Sequence, residues 1–339
     1  MSYFRSLVFP IACALFTALS SLSAAAETSE LGGTLPITVE PSEHGMVVKA
    51  DGNLLTEYRT RSGSKPVLYP VIGPTGAKMT RGWPIVPLAE GEKDDHHHHR
   101  SLWFTQEGLN GVNFWLEPKE GQPLSGHAGE IVHREFVRSE ADGNEGIIQT
   151  HNDWRDAKGN KICEDETTYR FAAHDDLRVI DFQVDLRASE KDLEIMDSKE
   201  GTFAVRVAGP MSVDNKQGGR IVNSRGQEDA SAWGMPAEWV DYQGPVDGQE
   251  VGLAIMSHPS NFRPAPRWHV RTYGLFAANP FGEKDFPPVD GYKQGSITIP
   301  KGDTLTLRYR VLLHSGDEKQ ADIAEHYHRY AGKQAAQQD

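Results

Sequence analysis

The sequence predicts an all-β fold, one large antiparallel β-sandwich closed by a single C-terminal helix. Strand-length windows in which apolar and polar residues alternate recur along the chain, separated by turn formers that 33 Gly and 20 Pro supply in quantity. A helical apolar stripe is found only near the C-terminus. No repeat of propeller or solenoid period occurs and no long polar linker divides the chain, so residues 27–339 are read as one domain.

Taken in order, residues 1–26 read as a secretion signal. Arg5 is a short positive head, Leu7 to Leu22 an apolar run, and Ser23-Ala24-Ala25-Ala26 a small-residue cleavage site before Glu27. The expected location is therefore periplasmic or secreted, and with no other stretch of membrane-spanning length, no membrane association is expected after cleavage. From Leu35 to about Thr60 short strands are expected around Ile37 and Val39, Met46-Val47-Val48, and Leu54-Leu55. Residues 65–92, rich in Pro and Gly, are expected to form a long ordered loop. Arg178 to Leu186 sets Ile180, Phe182, Val184 and Leu186 against a mostly polar face, and Leu305, Leu307, Tyr309 and Val311 do the same near the end. Residues 317–331 are expected to be helical, with Ile323, Tyr327 and Tyr330 on one stripe.

The net charge of −13 becomes −14 when Arg5 leaves with the signal. A chain this acidic is not expected to bind nucleic acid or anionic lipid, which require basic patches; neutral ligands suit it better. Cys13 lies in the signal, so Cys163 is alone in the mature chain, without a disulfide partner. Its neighbours Glu164, Asp165 and Glu166 disfavour the thiolate, which argues against a nucleophile.

Three stretches concentrate reactive side chains. The first, Asp94 to Trp115, contains His96-His97-His98-His99-Arg100, Trp103, Asn113 and Trp115. If residues 96–100 are extended, His96, His98 and Arg100 project one way and His97 and His99 the other. The second holds His258, Asn261 and Arg263, then Trp268 to Tyr273, where a strand would put His269, Arg271 and Tyr273 on one face. The third runs from Lys199 to Val207, with Glu200, Thr202, Ala204 and Arg206 on one face and Phe203, Val205 and Val207 towards the core. A base, a cation, a phenol and a carboxylate together suit acid–base chemistry with stabilisation of an oxyanion.

Structural roles compete for several of these residues. Glu200 and Arg206 also fit cross-strand pairing, and Trp103, Phe104, Phe114 and Trp115 also fit a core. His127, His151, His174 and His314 read as surface or turn residues. A divalent metal is the alternative use of the histidines, with His96, His98 and His258 as ligands and Asp94 or Asp95 behind them. No phosphate loop, serine elbow or metalloprotease signature is present.

The motifs Asp95-His96-x-His98-His99-Arg100-x-Leu102-Trp103-Phe104, Asn110-Gly111-x-x-Phe114-Trp115, Lys199-Glu200-Gly201-x-Phe203, His258-Pro259-x-Asn261 and Trp268-His269-x-Arg271-x-Tyr273-Gly274 resemble the PmoA-like family of uncharacterised bacterial secreted proteins. The resemblance runs from about residue 35 to the terminal helix. It departs at His97, where the family pattern has proline, which sets His97 aside as a functional residue. Membrane methane oxidation, which the label suggests, does not fit a mature chain with no spanning segment. The resemblance instead implies the company of sugar-degrading enzymes and the β-supersandwich of aldose mutarotases, with histidines and a carboxylate on a concave sheet face.

The expected function is a carbohydrate-active enzyme of epimerase, mutarotase or lyase type in sugar catabolism, without a cofactor and with a small carbohydrate as partner. His98 and His269 would exchange protons, Glu200 would be the partner base, and Arg100, Arg271 and Tyr273 would stabilise the oxyanion. His96, His99, Trp103, Asn113, Trp115, Arg206, His258, Asn261 and Arg263 would hold the substrate. The alternatives are a non-catalytic carbohydrate-binding protein and a metal-dependent hydrolase or oxygenase. The sequence assigns no oligomeric state.

Overall fold

The computed structural model describes residues 33–332 except 90, 120, 293 and 294, so the signal expected over residues 1–26 lies outside the described residues. The chain first builds β1 (Ile37–Pro41), β2 (Gly45–Ala50), β3 (Asn53–Ser62), β4 (Lys65–Val71) and β5 (Leu102–Gln106) as neighbours in one sheet. It then crosses to a second sheet through β6 (Gly129–Asp142), β7 (Glu145–Asp156), β8 (Lys161–Ala173) and β9 (Leu177–Arg187). Short β10 (Leu193–Ile195) leads back to β11 (Gly201–Arg206), which pairs with β5. β12 (Arg220–Asn223), β13 (Trp239–Val246) and β14 (Gln249–Ser257) extend the second sheet. β15 (Arg267–Val270) and β16 (Leu275–Asn279) complete the first. β17 (Ile297–Ile299) pairs with β10, β18 (Thr304–Ser315) enters the second sheet between β14 and β9, and α1 (Ile323–Gly332) follows. The two eight-stranded sheets run β1-β2-β3-β4-β5-β11-β16-β15 and β12-β13-β14-β18-β9-β8-β7-β6, with antiparallel neighbours throughout.

Period-two patterning decides which side of each sheet is dry. Ile180, Phe182, Val184 and Leu186 of β9 and Leu307, Tyr309, Val311 and Leu313 of β18 enter the core between the sheets, as their alternation predicts. Val179 and Leu312 face the other way and remain buried because α1 lies over them, its Ile323, Tyr327 and Tyr330 stripe turned inward as expected. The helix begins at Ile323 rather than 317, the preceding residues forming turns in which Asp317 accepts from the backbone of Lys319 and Gln320.

The expected loop over 65–92 is in part a strand. Pro66 and Pro70 stand in β4, whose pairing with β3 shifts register, and these irregularities accommodate residues that have no N–H to donate. Cys163 is buried in the central core, and burial, followed by the charge of Asp165 and Glu164, pushes its thiol well above the ordinary range. His314 is also buried rather than at a surface, paired with Asp241 at 3.1 Å.

The first sheet's outer face carries its own buried cluster, which includes Val67, Tyr69, Trp103, Trp115, Ala204, Leu275 and Ala277. Register sets Trp103, Ala204, Ala277 and His269 in one row across β5, β11, β16 and β15. Two alanines thus separate a tryptophan from a histidine on the floor of this face.

Candidate functional site

The histidine run is a turn, not a strand. The His99 N–H donates to the His96 carbonyl at 2.9 Å, and His96 and Ser101 have φ of 46° and 56°. An extended row is impossible with a left-handed residue at either end of it. One buried guanidinium fixes the turn's shape. Arg81 donates from Nη1 to the carbonyls of Lys93 and Asp95 and to Asp95 Oδ1, and from Nη2 to the carbonyls of His96 and His99, at 2.8–3.2 Å. Burial, reinforced by the charge of Arg206, lowers Arg81 to about 10, where it remains charged at neutral pH.

Asp95 Oδ1 also accepts from Arg206 Nη2 at 2.8 Å and lies 3.3 Å from His96 Nδ1. Burial pushes the Asp95 carboxyl up, but Arg206, His96 and Arg81 outweigh it and hold it below the usual range. An ionised Asp95 therefore orients His96 with Nδ1–H towards it and leaves Nε2 as an acceptor. His96 is 41% exposed, and its ring stacks between His99 at 4.8 Å and Tyr273 at 5.1 Å. The stack continues inward to Trp103, 5.5 Å from His99.

Tyr273 belongs to the turn joining β15 and β16, closed by Arg271 N–H to the Leu275 carbonyl and Gly274 N–H to the Arg271 carbonyl. The expected strand over 268–273 thus ends at Val270, and the turn, not period two, brings Tyr273 to His96. Burial raises the phenol to about 12, which keeps it a donor. His269 projects from the sheet and donates Nδ1–H to the Lys199 carbonyl at 2.8 Å. Glu200 Oε2 lies 3.9 Å from the same nitrogen. Burial lowers His269 to about 3, so it remains neutral, and burial raises the Glu200 carboxyl against the opposing pull of Lys199, whose Nζ lies 3.4 Å from Oε1.

The three sequence stretches therefore meet, through His96 on Tyr273, Arg206 on Asp95 and His99, and His269 beside Lys199 and Glu200. Several expected roles change. His98 is buried beside Trp115 and His99, and burial, then Lys65, lowers it to about 3; His96 is the histidine that faces Tyr273. His99 is buried and accepts from Arg206 at 3.2 Å. Arg100 does not reach the site: its Nε donates to Glu117 at 2.7 Å and its Nη1 to Ser62. Glu117 also pairs with buried Lys65, and the two cations outweigh burial and hold its carboxyl low. Trp103 and Trp115 are fully buried and present no ring to a ligand. Asn113 caps a turn, accepting from the N–H groups of Trp115 and Leu116 and donating to Glu107.

His258, Asn261 and Arg263 lie apart from this cluster. His258 packs on Tyr330 of α1, 5.0 Å away, at a cleft of about 370 Å³ on the second sheet's outer side. Asn261 binds the backbone of Arg308, and Arg263 pairs with Glu283. His96, His98 and His258 are therefore not one ligand set, the sandwich standing between them. Among the described residues no group of three or more His, Cys, Asp or Glu side chains is placed to hold a metal. Sequence reasoning passed over Arg81, Lys65 and Glu117, which stand in no motif.

The chain belongs to a family of unknown function, DUF6807, whose sequence profile matches residues 45–328. No curated protein matches it. Among solved structures it is similar to a galactose mutarotase related enzyme from Lactobacillus acidophilus, at 11% identity and a TM-score of 0.34, over 83% of this chain and 97% of that one. A galactose mutarotase-like protein from Lactobacillus casei ATCC 334 gives 11% and 0.32, over 83% and 99%. A glycoside hydrolase family 97 enzyme in complex with acarbose, from Pseudoalteromonas sp. strain K8, gives 11% and 0.31 over 83% of this chain and 35% of that one, so this chain spans about a third of the hydrolase. Likenesses this distant carry nothing about chemistry here, and the site is read from its own residues.

Proposed function

We propose that the protein is an enzyme that moves protons on a carbohydrate, by epimerisation, mutarotation or elimination, at the face shared by His96, Tyr273, His269 and Glu200. The observation that carries this is a histidine oriented by an ionised aspartate, stacked on a tyrosine that also feels the charge of a carboxyl with a raised pKa. Groups whose protonation equilibria are pushed apart are what paired acid and base steps need. His96 Nε2 takes a proton from the substrate, Glu200 in its acid form supplies one, and Tyr273 O–H donates to the oxygen on which charge develops. Proton gain and loss balance, and no oxidant is required.

His269 has a different part. Protonating a group held at about 3 costs roughly 5 kcal/mol at pH 7. It therefore stays neutral and accepts a hydrogen bond from a sugar hydroxyl. The secretion signal expected at the N-terminus would place the reaction in the periplasm or outside the cell. The reading contains no metal, and about one metal per chain by elemental analysis of untagged protein would overturn that part of it.

The test is a panel of sugars followed by NMR in deuterated buffer, with wild type, His96→Ala and Glu200→Gln. Wild type exchanges or transforms a carbon-bound or anomeric proton and both variants lose at least 100-fold. Turnover unchanged in both variants would refute the site. Saturable binding with an unaltered ligand spectrum would make the protein a binder instead.

A further inference from the structure

Arg271 stands out among the cations of this face. Arg81, Arg206 and Arg100 each have a carboxylate partner, whereas among the described residues the Arg271 guanidinium has none. It lies instead between two rings, 5.5 Å from Trp233 and 5.5 Å from Tyr273. Its backbone is fixed at both ends of the turn, and Tyr242 Oη donates to its carbonyl at 3.2 Å. Trp233 is held in turn by Phe286, 5.5 Å away, and Phe286 packs on His269. A guanidinium flanked by two rings and without a carboxylate partner of its own is suited to engage a planar carboxylate with two parallel hydrogen bonds.

Around the histidine turn Lys65, Arg81, Arg100 and Arg206 are paired with Asp95 and Glu117, and the charge of Glu92 also acts on Arg81, so these cations are already engaged and, among the described residues, Arg271 is the one without a carboxylate.

We propose that Arg271 is a carboxylate-binding, specificity-determining residue and that the substrate is an acidic sugar of the uronic or aldonic class. Its carboxylate pairs with the edge of Arg271, its ring lies by Tyr273, and its hydroxyls reach His269 and the proton-transfer pair. This rests on the acid–base reading above and adds the substrate's charge. A guanidinium engages a phosphate with the same paired hydrogen bonds, so a sugar phosphate is the competing ligand in the test.

Calorimetry and NMR with glucuronate, galacturonate, gluconate, glucose, galactose and glucose 6-phosphate test it, using the full mature chain. At least one acidic sugar should bind ten-fold or more tightly than its neutral counterpart, with the advantage shrinking as salt is raised. Arg271→Gln should abolish that advantage, so that acidic and neutral sugars bind alike, and Arg271→Lys should keep part of it. Circular dichroism identifies a variant that fails to fold, and the wild-type comparison of acidic with neutral sugars needs no variant. Equal or tighter binding of the neutral sugars, or tightest binding of the phosphate, overturns the proposal while leaving the acid–base reading intact, provided Glu200→Gln still stops turnover. If no sugar of any charge binds or reacts, both readings fall.

Discussion

Arg81→Lys separates a guanidinium's geometry from its charge. The substitution keeps one positive charge beside Asp95 but replaces two nitrogens that serve five acceptors with one ammonium that serves at most three. At least two acceptors lose their donor. The His99 carbonyl is buried with its residue, so its loss carries the full cost of a stripped acceptor, about 1–3 kcal/mol. Lys93 and His96 are more exposed, and water replaces part of what they lose. The expected loss is roughly 2–4 kcal/mol, a large share of the 5–15 kcal/mol typical of a folded chain. Urea unfolding followed by tryptophan fluorescence reads this directly, since His99 stacks on Trp103. Turnover should fall further than stability predicts, because His96 needs the turn to hold its left-handed backbone. A variant within about 0.5 kcal/mol of wild type, with unchanged turnover, would refute the assignment of the turn's geometry to Arg81.

Glu117→Gln leaves Lys65 buried without a full counter-charge and should cost about 3–5 kcal/mol, whereas the double change Lys65→Met with Glu117→Leu should recover part of it, Arg100 still losing its carboxylate; equal destabilisation by both in urea would count against the Lys65 pair. Burial is the largest influence on His314 and lowers it, but Asp241, the Ser315 carbonyl and Asp317 together outweigh it, so its folded value lies above the unfolded one. Its contribution is complete below the unfolded value of about 6.5 and is lost as pH rises through the folded value. His314→Gln should therefore flatten the fall in stability above that pH, and an unchanged profile in denaturant titrations would exclude this pair as its source. Asp95→Asn should lower turnover about 100-fold or more by releasing His96, measured on whichever sugar the wild type transforms. Cys163 should resist a thiol reagent at pH 8 until the protein is unfolded, and rapid labelling of native protein would contradict its burial.

Period two carried most of the fold because it is a local signal that a sheet reads one strand at a time. β9, β18 and the α1 stripe follow from their own residues. β4 did not, since two prolines argue for a loop unless the irregular pairing with β3 is known. The third stretch was legible from Phe203 onward, where Phe203, Val205 and Val207 enter the core while Ala204 and Arg206 face the other way; Glu200 precedes the strand and Thr202 is buried against Gln106. The histidine run was legible as a place of chemistry and not as a shape. Its shape depends on Arg81, twelve or more positions away from the groups it binds, and on Glu117, whose partner Lys65 is 52 residues distant. Such pairings leave no periodicity to read.

The same distinction explains which aromatic residues were misassigned. Trp103 and Trp115 stood beside histidines and so resembled a sugar platform, but a sheet face covered by its own turn buries such rings as firmly as the central core does. Tyr273, whose ring packs against His96 and Arg206 and whose hydroxyl serves the site, is placed by a hairpin turn rather than by a strand's alternation. With alanines at 204 and 277 on the floor between Trp103 and His269, the chain keeps large side chains off the centre of the row and places its polar groups around it. β5 and β11 pair across 101 residues at Trp103 and Ala204, and β11 and β16 across 73 at Ala204 and Ala277, while β15 and β16 form a hairpin. Register across those four strands sets the floor and His269, and the turns at their ends carry His96, Glu200 and Arg271 to the same face.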